Sequence, residues 1–269
     1  MNHSEKRKWL INYLLEENSH LSKIVDASSD DPKEQNDLLR CLLNIREARP
    51  IHKDFIDIQN QFLLEERAEN QIFSLNDAQQ YTKNLYLWQG DITRLEVDAI
   101  VNAANAQLLG CFVPLHRCID NAIHSAAGIQ LRLACKEIMD AQGHLEETGY
   151  AKITDGYNLS AKKVIHTVGP IIKDTVTKEH VSLLADCYRR VLLLCEEYQL
   201  KSVAFCCIST GEFRFPNELA AEIAIKTTQE YVTRVHSPIK IIFNVFKDID
   251  KELYHEKLQQ LSGSLSKDN

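Results

Sequence analysis

Apolar residues recur at helical spacing through the first 80 or so residues, and strand-like runs begin near residue 84. The segments 6–18, 31–47 and 52–67 each carry apolar side chains on one helical face. Asp31 followed by Pro32 is typical of a helix cap and first turn, and predicts where the second helix begins. With no strand signal in this part, the pattern predicts a helical extension over residues 1–83.

From residue 84 onward, runs rich in β-branched and aromatic residues alternate with helical stretches. The predicted strands lie in 85–88, 97–104, 150–159, 162–168, 202–209 and 239–246. The predicted helices lie at about 120–141, 179–199, 217–234 and 249–261. Such alternation predicts an α/β domain over 84–262, with helices on both faces of a mostly parallel or mixed sheet and ligands at the carboxyl ends of its strands. Residues 263–269 read as a frayed tail.

Composition narrows the class of protein. The 269-residue chain has 44% hydrophobic residues and a net charge of −7, which argues against a nucleic-acid binder. No apolar run approaches the roughly 18 residues of a membrane span, and no secretion signal is visible. We therefore expect a cytoplasmic protein whose eight cysteines are thiols. Most fall in strand or helix patterns, as Cys206 and Cys207 do, and only Cys111 and Cys118 lie in a predicted loop.

Four motifs occur in order across about 180 residues: "GDITRLEVDAIVNAANAQLLG", "IDNAIHSAAG", "KKVIHTVGP" and "ISTGEFRFP". Together they resemble the macrodomain family of ADP-ribose-binding modules, which implies a three-layer α/β/α fold with a mixed sheet. The segment "CFVPLHRC", with the helical extension, further resembles the zinc-containing branch of microbial macrodomains, which are protein-ADP-ribosyl hydrolases. Such relatives are associated with a sirtuin-like transferase, and a lipoyl-carrier protein is their target.

The first motif supplies polar residues at two strand ends. Asp91 can accept a hydrogen bond from the exocyclic amine of adenine, as the corresponding family residue does, although Asp91 and Thr93 equally suit a turn or cap. The resemblance places Ile92 beside Asp91 in the ADP-ribose site. Asn102 and Asn105 lie at the end of the next predicted strand, where backbone and side-chain amides can contact ligand hydroxyls, and Asn105 resembles the residue that orients the distal ribose. An ordinary turn asparagine is the alternative.

The segment 209–216 joins a strand to a helix, so its backbone amides can line a diphosphate. The resemblance assigns ADP-ribose contacts to Ser209, Thr210, Gly211, Glu212 and Phe213. Glu212 departs from the apolar residue common in the family, and repulsion from phosphate predicts that its side chain points to solvent. Phe213 is predicted to pack on the distal ribose, with a place in the core as the alternative. Arg214 stands where the family has glycine.

The loop 110–118 contains the pattern C-x4-H-x-C, and Cys111, His116 and Cys118 can converge if Pro114 turns the chain. Two thiolates and an imidazole suit Zn²⁺, and three protein ligands leave a fourth position open. Free thiols, or a closed site completed by His124, are the alternatives that the spacing leaves. The position of the loop directly before Asp120, beside the expected distal ribose, favours the open zinc site. His166 is predicted to be a core residue rather than a ligand.

The resemblance implies an enzyme that removes mono-ADP-ribose from modified proteins, from acidic side chains, and releases ADP-ribose. In it Asn105 orients the ribose, Cys118 also lies against the ligand, and Asp120 positions water or takes a proton. The target implied by the resemblance is an ADP-ribosylated lipoyl-carrier protein. A non-catalytic reader of ADP-ribose and an O-acyl-ADP-ribose deacylase remain as alternatives.

Overall fold

The computed structural model describes residues 1–18, 20, 21, 27 and 29–265. The last part of the predicted tail, residues 266–269, lies outside the described residues. Within the described residues, no helix is long and apolar enough to cross a membrane.

Three helices form the N-terminal part: α1 His3–Glu17, α2 Pro32–Ile45 and α3 Lys53–Glu69. Helix α2 begins as predicted, because the Asp31 side chain accepts a hydrogen bond from the Glu34 amide and Pro32 occupies the first turn. The apolar faces of the three helices share one cluster that includes Leu10, Phe55 and Ile129. Ile129 belongs to the α/β part, so this cluster also joins the extension to that part of the molecule.

The α/β part has strands and helices in the predicted alternation. Its elements are β1 Phe73–Ser74, β2 Gln79–Gln80, β3 Leu85–Gln89, β4 Leu95–Glu96, β5 Ala99–Ala103, α4 Ile119–Ala127, α5 Ile129–Gln142, β6 Ala151–Asp155, β7 Lys163–Thr167, α6 Lys178–Glu197, β8 Ser202–Phe205, α7 Asn217–Val235, β9 Lys240–Val245 and α8 Asp248–Leu265. Helices cover both faces of the central sheet, so the predicted three-layer α/β/α fold is confirmed.

The central sheet has the strand order β2-β3-β9-β8-β5-β7-β6. Strands β3, β9, β8, β5 and β7 run parallel, whereas the edge strands β2 and β6 are antiparallel to their neighbours. The carboxyl ends of five adjacent strands therefore meet at one edge of the sheet. In this register Asn102 on β5 lies opposite His166 on β7.

The structure differs from the sequence prediction at several boundaries. The predicted helix over 120–141 is two helices, because Gly128 adopts φ 91° between α4 and α5. Strand β8 ends at Phe205, so Cys206 and Cys207 follow the strand instead of lying in it. The two-residue strands β1, β2 and β4 were not predicted, and β1 and β2 fall within the predicted helical extension. Helix α8 continues to Leu265, inside the predicted tail.

Candidate active site

Asp91 follows β3 at the carboxyl edge of the sheet. Its Oδ1 accepts hydrogen bonds from the Thr93 amide at 3.0 Å and the Thr93 hydroxyl at 2.8 Å, so Asp91 is a cap, as one reading of the sequence had it. Oδ2 has no hydrogen-bond partner within the described residues, and the side chain is exposed. The cap and the ligand contact are therefore compatible, because each uses a different oxygen. The neighbouring Ile92 is 1% exposed and belongs to the main core, so its side chain is not available to a ligand.

Phe246 follows the adjacent strand β9 and was not singled out from the sequence. It is 76% exposed, which is unusual for a phenylalanine at a strand end. Strands β3 and β9 are joined at this edge by the Gly90 amide, which donates to the Val245 carbonyl at 2.9 Å. Asp91 and the exposed Phe246 therefore follow neighbouring strands at the same edge of the sheet. The position of Phe246 directly after a predicted buried strand was a signal in the sequence that could have identified it.

Asn102 lies deeper than the sequence suggested. Its side chain is fully buried, and its Nδ2 donates to Asp120 Oδ1 at 2.7 Å and lies 3.1 Å from His166 Nδ1. The Asn102 side chain therefore hydrogen-bonds to Asp120 inside the protein and does not extend to the surface, where it could contact a ligand hydroxyl. His166 is fully buried and also contacts Thr154 at 3.0 Å, which agrees with its predicted place in the core.

Asp120 lies in the first turn of α4 and is 5% exposed. Burial raises the pKa of Asp120 to about 6, although the Asn102 hydrogen bond and the charge of Arg132 act in the opposite direction. His124 Nε2 lies 3.5 Å from Asp120 Oδ1. Burial lowers the pKa of His124 well below its ordinary value, so this imidazole is neutral and the two groups do not form an ion pair.

Asn105 begins the loop after β5 and is half-buried. Its Oδ1 accepts from the Gln107 amide at 2.9 Å, and its Nδ2 donates to the Gly110 carbonyl at 3.2 Å. The side chain therefore ties the end of β5 to the start of the loop 110–118. This is the turn role that the sequence left open, and it places the amide beside the predicted metal ligands.

Residues 209–213 form a turn after β8 in which Ser209 has φ 66°. Within the described part of the chain, the amides of Gly211, Glu212 and Phe213 donate no hydrogen bond. A methyl group added at Gly211 would meet nothing within 4 Å, so the space beside this turn is open. Backbone amides without a protein partner, next to open space, are suited to an anion such as a diphosphate.

The two phenylalanines of this segment differ. Phe215 is 1% exposed and belongs to the main core, whereas Phe213 is half-buried. The Phe213 carbonyl accepts from the Ile172 amide at 2.8 Å, which fixes the end of the turn. Thr210 uses both its amide and its hydroxyl on the Cys207 carbonyl. Phe213 is thus the aromatic ring of this turn that remains accessible at the rim.

Cys111, His116 and Cys118 converge. Their candidate ligand atoms all lie within 4.8 Å of one another, and Cys111 Sγ is 3.7 Å from His116 Nδ1. The loop turns at Pro114 as expected: the His116 amide donates to the Val113 carbonyl, and Leu115 has φ 54°. This is the pattern of a type II turn, with proline at its second position and a left-handed residue at its third.

The donor set fits Zn²⁺. Two sulfurs and one imidazole nitrogen are preferred ligands of this ion, and three protein ligands leave a coordination position open. Within the described residues no fourth His, Cys, Asp or Glu donor joins this group, since His124 belongs instead to a buried group with Cys135 and His166. Burial raises the pKa of the Cys118 thiol to about 12, and a bound cation favours the thiolate.

Glu212 comes closer to this loop than expected. Its side chain is 75% exposed, in line with the predicted orientation toward solvent, yet Oε1 lies 3.7 Å from His116 Nε2. The other ring nitrogen of His116 faces Cys111. A carboxylate on the far side of a ligating imidazole is a common way to fix its tautomer.

Residues of the extension also reach the site, and sequence reasoning missed them. Arg40 and Asn44 on α2 hydrogen-bond to the loop 110–118 and to Asn121 on α4. These partners lie 71 to 81 residues away along the chain. No local pattern indicates such contacts, because both residues read as ordinary polar positions of an amphipathic helix.

The polar residues at the carboxyl edge of a mixed sheet, with helices on both faces, define a three-layer α/β protein whose site is built from strand-end loops. Residues 101–224 match the Macro domain family. The chain is 47% identical over 260 residues to a protein-ADP-ribose hydrolase of Treponema medium, covering 95% of this chain and 99% of that protein. It is 45% identical over 251 residues to a protein-ADP-ribose hydrolase of Staphylococcus aureus strain COL, covering 93% of each.

Solved structures give the same result. A macrodomain of Oceanobacillus iheyensis with ADP has a TM-score of 0.62 and 36% identity, covering 70% of this chain and 96% of that one. Together with the relatives that match nearly the whole chain, this similarity settles the classification: the chain belongs to the macrodomain family.

Proposed function

We propose that this protein is a zinc-dependent hydrolase that removes mono-ADP-ribose from acidic side chains of modified proteins and releases ADP-ribose. The observation that carries the proposal is the group Cys111, His116 and Cys118, which lies directly before Asp120 in a chain that matches protein-ADP-ribose hydrolases over nearly its full length. A pure binding module would need the pocket but not an open three-ligand metal group.

The nucleotide half of the ligand would lie across the ends of β3 and β9. The free Oδ2 of Asp91 accepts a hydrogen bond from the adenine amine, and the exposed ring of Phe246 offers a stacking surface for the base. The diphosphate then meets the unpaired amides of residues 211–213. This order brings the distal ribose toward Phe213 and the loop 110–118.

At the reacting end, Asn105 orients the distal ribose and Asp120 positions water or accepts its proton. Asn102 keeps one Asp120 oxygen fixed through its 2.7 Å hydrogen bond, which leaves the second oxygen for that role. A zinc ion held by Cys111, His116 and Cys118 would supply Lewis acidity toward a ribose hydroxyl or a water. The bond broken joins the anomeric carbon of ADP-ribose to the acceptor side chain.

For the acceptor we propose a carboxylate, giving an ester, and for the target a lipoyl-carrier protein, on the resemblance to the sirtuin-associated branch. We place the reaction in the cytoplasm, because all eight cysteines are free thiols and a reducing compartment keeps them so.

The test is release of free ADP-ribose from a protein modified on acidic residues. Cys118→Ala should lose turnover while ADP-ribose affinity changes little, because the metal group lies at the reacting end. Cys41→Ala, which removes a half-buried thiol of α2, serves as the matched control and should retain turnover. Equal turnover by the wild-type protein with and without metal would reject the zinc mechanism.

Two further outcomes have distinct meanings. Tight binding of ADP-ribose without release from any modified protein would identify a reader. Faster release from O-acyl-ADP-ribose than from modified protein would identify a deacylase of that small molecule.

A further inference from the structure

Helix α2 of the extension presents two polar side chains, one turn apart, to the loop 110–118. Arg40 Nη2 donates to the His116 carbonyl at 3.2 Å, and Asn44 Oδ1 accepts from the Leu115 amide at 3.1 Å. Asn44 is 1% exposed, so the acceptor of this hydrogen bond is buried. Helix α2 of the extension therefore hydrogen-bonds to the main chain of His116, a proposed metal ligand, and of Leu115, the residue before it.

Asn121 on α4 hydrogen-bonds to three other residues of the loop. Its Nδ2 donates to the carbonyls of Cys111 at 3.4 Å and Val113 at 3.1 Å, and its amide donates to Cys118 Sγ at 3.4 Å. Asn121 is fully buried, so its side-chain amide has few partners other than these carbonyls.

Arg40 determines which way the Asn121 side chain is turned. Its Nε and Nη2 donate to Asn121 Oδ1 at 3.2 and 2.7 Å. Because this oxygen is held by the guanidinium fork, the Asn121 Nδ2 must face the loop carbonyls. Without Arg40 the oxygen keeps, among the described residues, only the Ser125 hydroxyl as a donor, at 3.3 Å, so the orientation of the Asn121 side chain is held less strongly.

The loop needs external support. Leu115 has φ 54°, a conformation that a branched side chain rarely adopts, and the turn it completes has no glycine. A second link lies on the other side, where Arg132 of α5 donates to the carbonyls of Leu109 and of Leu43, on α2. The extension and the loop are thus fastened to each other at both ends of the metal-binding segment.

We propose that Arg40 and Asn44 are positioning residues that hold Cys111, His116 and Cys118 in metal-binding geometry, so that the N-terminal extension is part of the active unit. This inference rests on the proposed function of the loop as a zinc site.

The experiment compares the full-length wild type with Arg40→Ala and Arg40→Lys. Lysine keeps the positive charge but cannot offer two nitrogens to Asn121 in one plane, so it separates geometry from charge. Arg49→Ala is the control, because Arg49 is an exposed arginine of the extension that contacts Glu17 and not the loop. Zinc affinity is measured by competition with a chelator of known affinity, and deuterium uptake of the peptide 111–118 is measured in metal-free protein.

We expect Arg40→Ala to bind zinc at least about tenfold more weakly, as residues that orient metal ligands commonly do when removed. Arg40→Lys should also bind more weakly, and Arg49→Ala should match the wild type. Deuterium uptake of 111–118 should rise in both Arg40 variants, with peptides of β5 and β7 unchanged. If Arg40→Ala fails to fold, the lysine variant carries the same comparison.

The inference would be overturned if both Arg40 variants kept the zinc affinity of the wild type and its deuterium uptake in 111–118. An equal effect of Arg49→Ala would also overturn it. The two proposals fail separately. A wild-type protein that releases ADP-ribose without metal would refute the zinc mechanism, whereas uptake in the metal-free variants still decides whether Arg40 holds the loop.

Discussion

The contact between Gly169 and Ser209 is tight enough to make a sharp prediction. A methyl group added at Gly169 would lie 2.0 Å from Ser209 Oγ and 2.9 Å from Ile208 Cγ2, and non-bonded carbon contacts lie at about 3.5–4.0 Å. Gly169→Ala must therefore displace Ser209, which begins the turn of free amides. We expect both the stability of the protein and its affinity for ADP-ribose to fall.

The magnitude follows from the local structure. Overpacking of a filled site costs about 1–3 kcal/mol of unfolding free energy. Ser209 cannot easily absorb the change, because it is buried and already has φ 66°, a conformation that costs a non-glycine residue about 1–2 kcal/mol. The Ser209 side chain must change rotamer or its backbone must shift, and we expect the amides of residues 211–213 to move with it.

The assays are urea unfolding and calorimetric titration with ADP-ribose. Ser209→Gly removes the clashing atoms and relieves the left-handed conformation, so it should partly restore a protein carrying Gly169→Ala. Rescue should be incomplete, because the Ile208 contact remains. Gly211→Ala is the control for stability, since a methyl group there meets nothing within 4 Å. Wild-type stability and affinity in Gly169→Ala, or an absence of coupling to Ser209→Gly, would refute the reasoning.

Three other predictions address other parts of the site. Asp91→Asn keeps an acceptor for the Thr93 cap but turns a donor toward the adenine amine. The affinity for ADP-ribose, measured by calorimetry, should therefore fall about 10–100-fold with little change in melting temperature. Undiminished affinity would contradict this prediction. Burial lowers the pKa of His166 to about 4, so the unfolded chain gains the proton first as pH falls below about 6.5, and stability is lost between about pH 6.5 and 4. His166 accounts for a loss of about 2 kcal/mol in the free energy of unfolding between pH 7 and 5. In His166→Gln the free energy of unfolding should therefore depend less steeply on pH in this range, and an unchanged slope would count against the prediction. Glu212→Gln should change zinc affinity in chelator competition by less than about fivefold, since its contact with His116 is long and exposed, and a tenfold loss would show that the contact matters more than its geometry indicates.

The sequence predicted the alternation of strands and helices because buried strands and amphipathic helices leave distinct periodic patterns. It did not predict the break at Gly128, since the apolar spacing continues on both sides of it and only the positive φ separates α4 from α5. The burial of the Asn102 side chain was missed for a related reason. Strand β5 is buried on both faces, so alternation does not tell which way a side chain points.

The convergence of Cys111, His116 and Cys118 could be predicted from the sequence because they lie within eight positions of one another, whereas the residues that support them could not. Arg40 meets Asn121 across 81 residues, and that contact exists only because the extension packs on the α/β part through Ile129. The segment "CFVPLHRC" brings Cys111, His116 and Cys118 together but contains no glycine, the residue that adopts left-handed conformations at low cost. Leu115 occupies such a conformation, and the turn is held by the Leu115 amide donating to Asn44 Oδ1 and by Asn121 Nδ2 donating to the Val113 carbonyl. The loop 110–118 is therefore expected to lose its geometry when the helical extension is removed, because its turn depends on hydrogen bonds with α2.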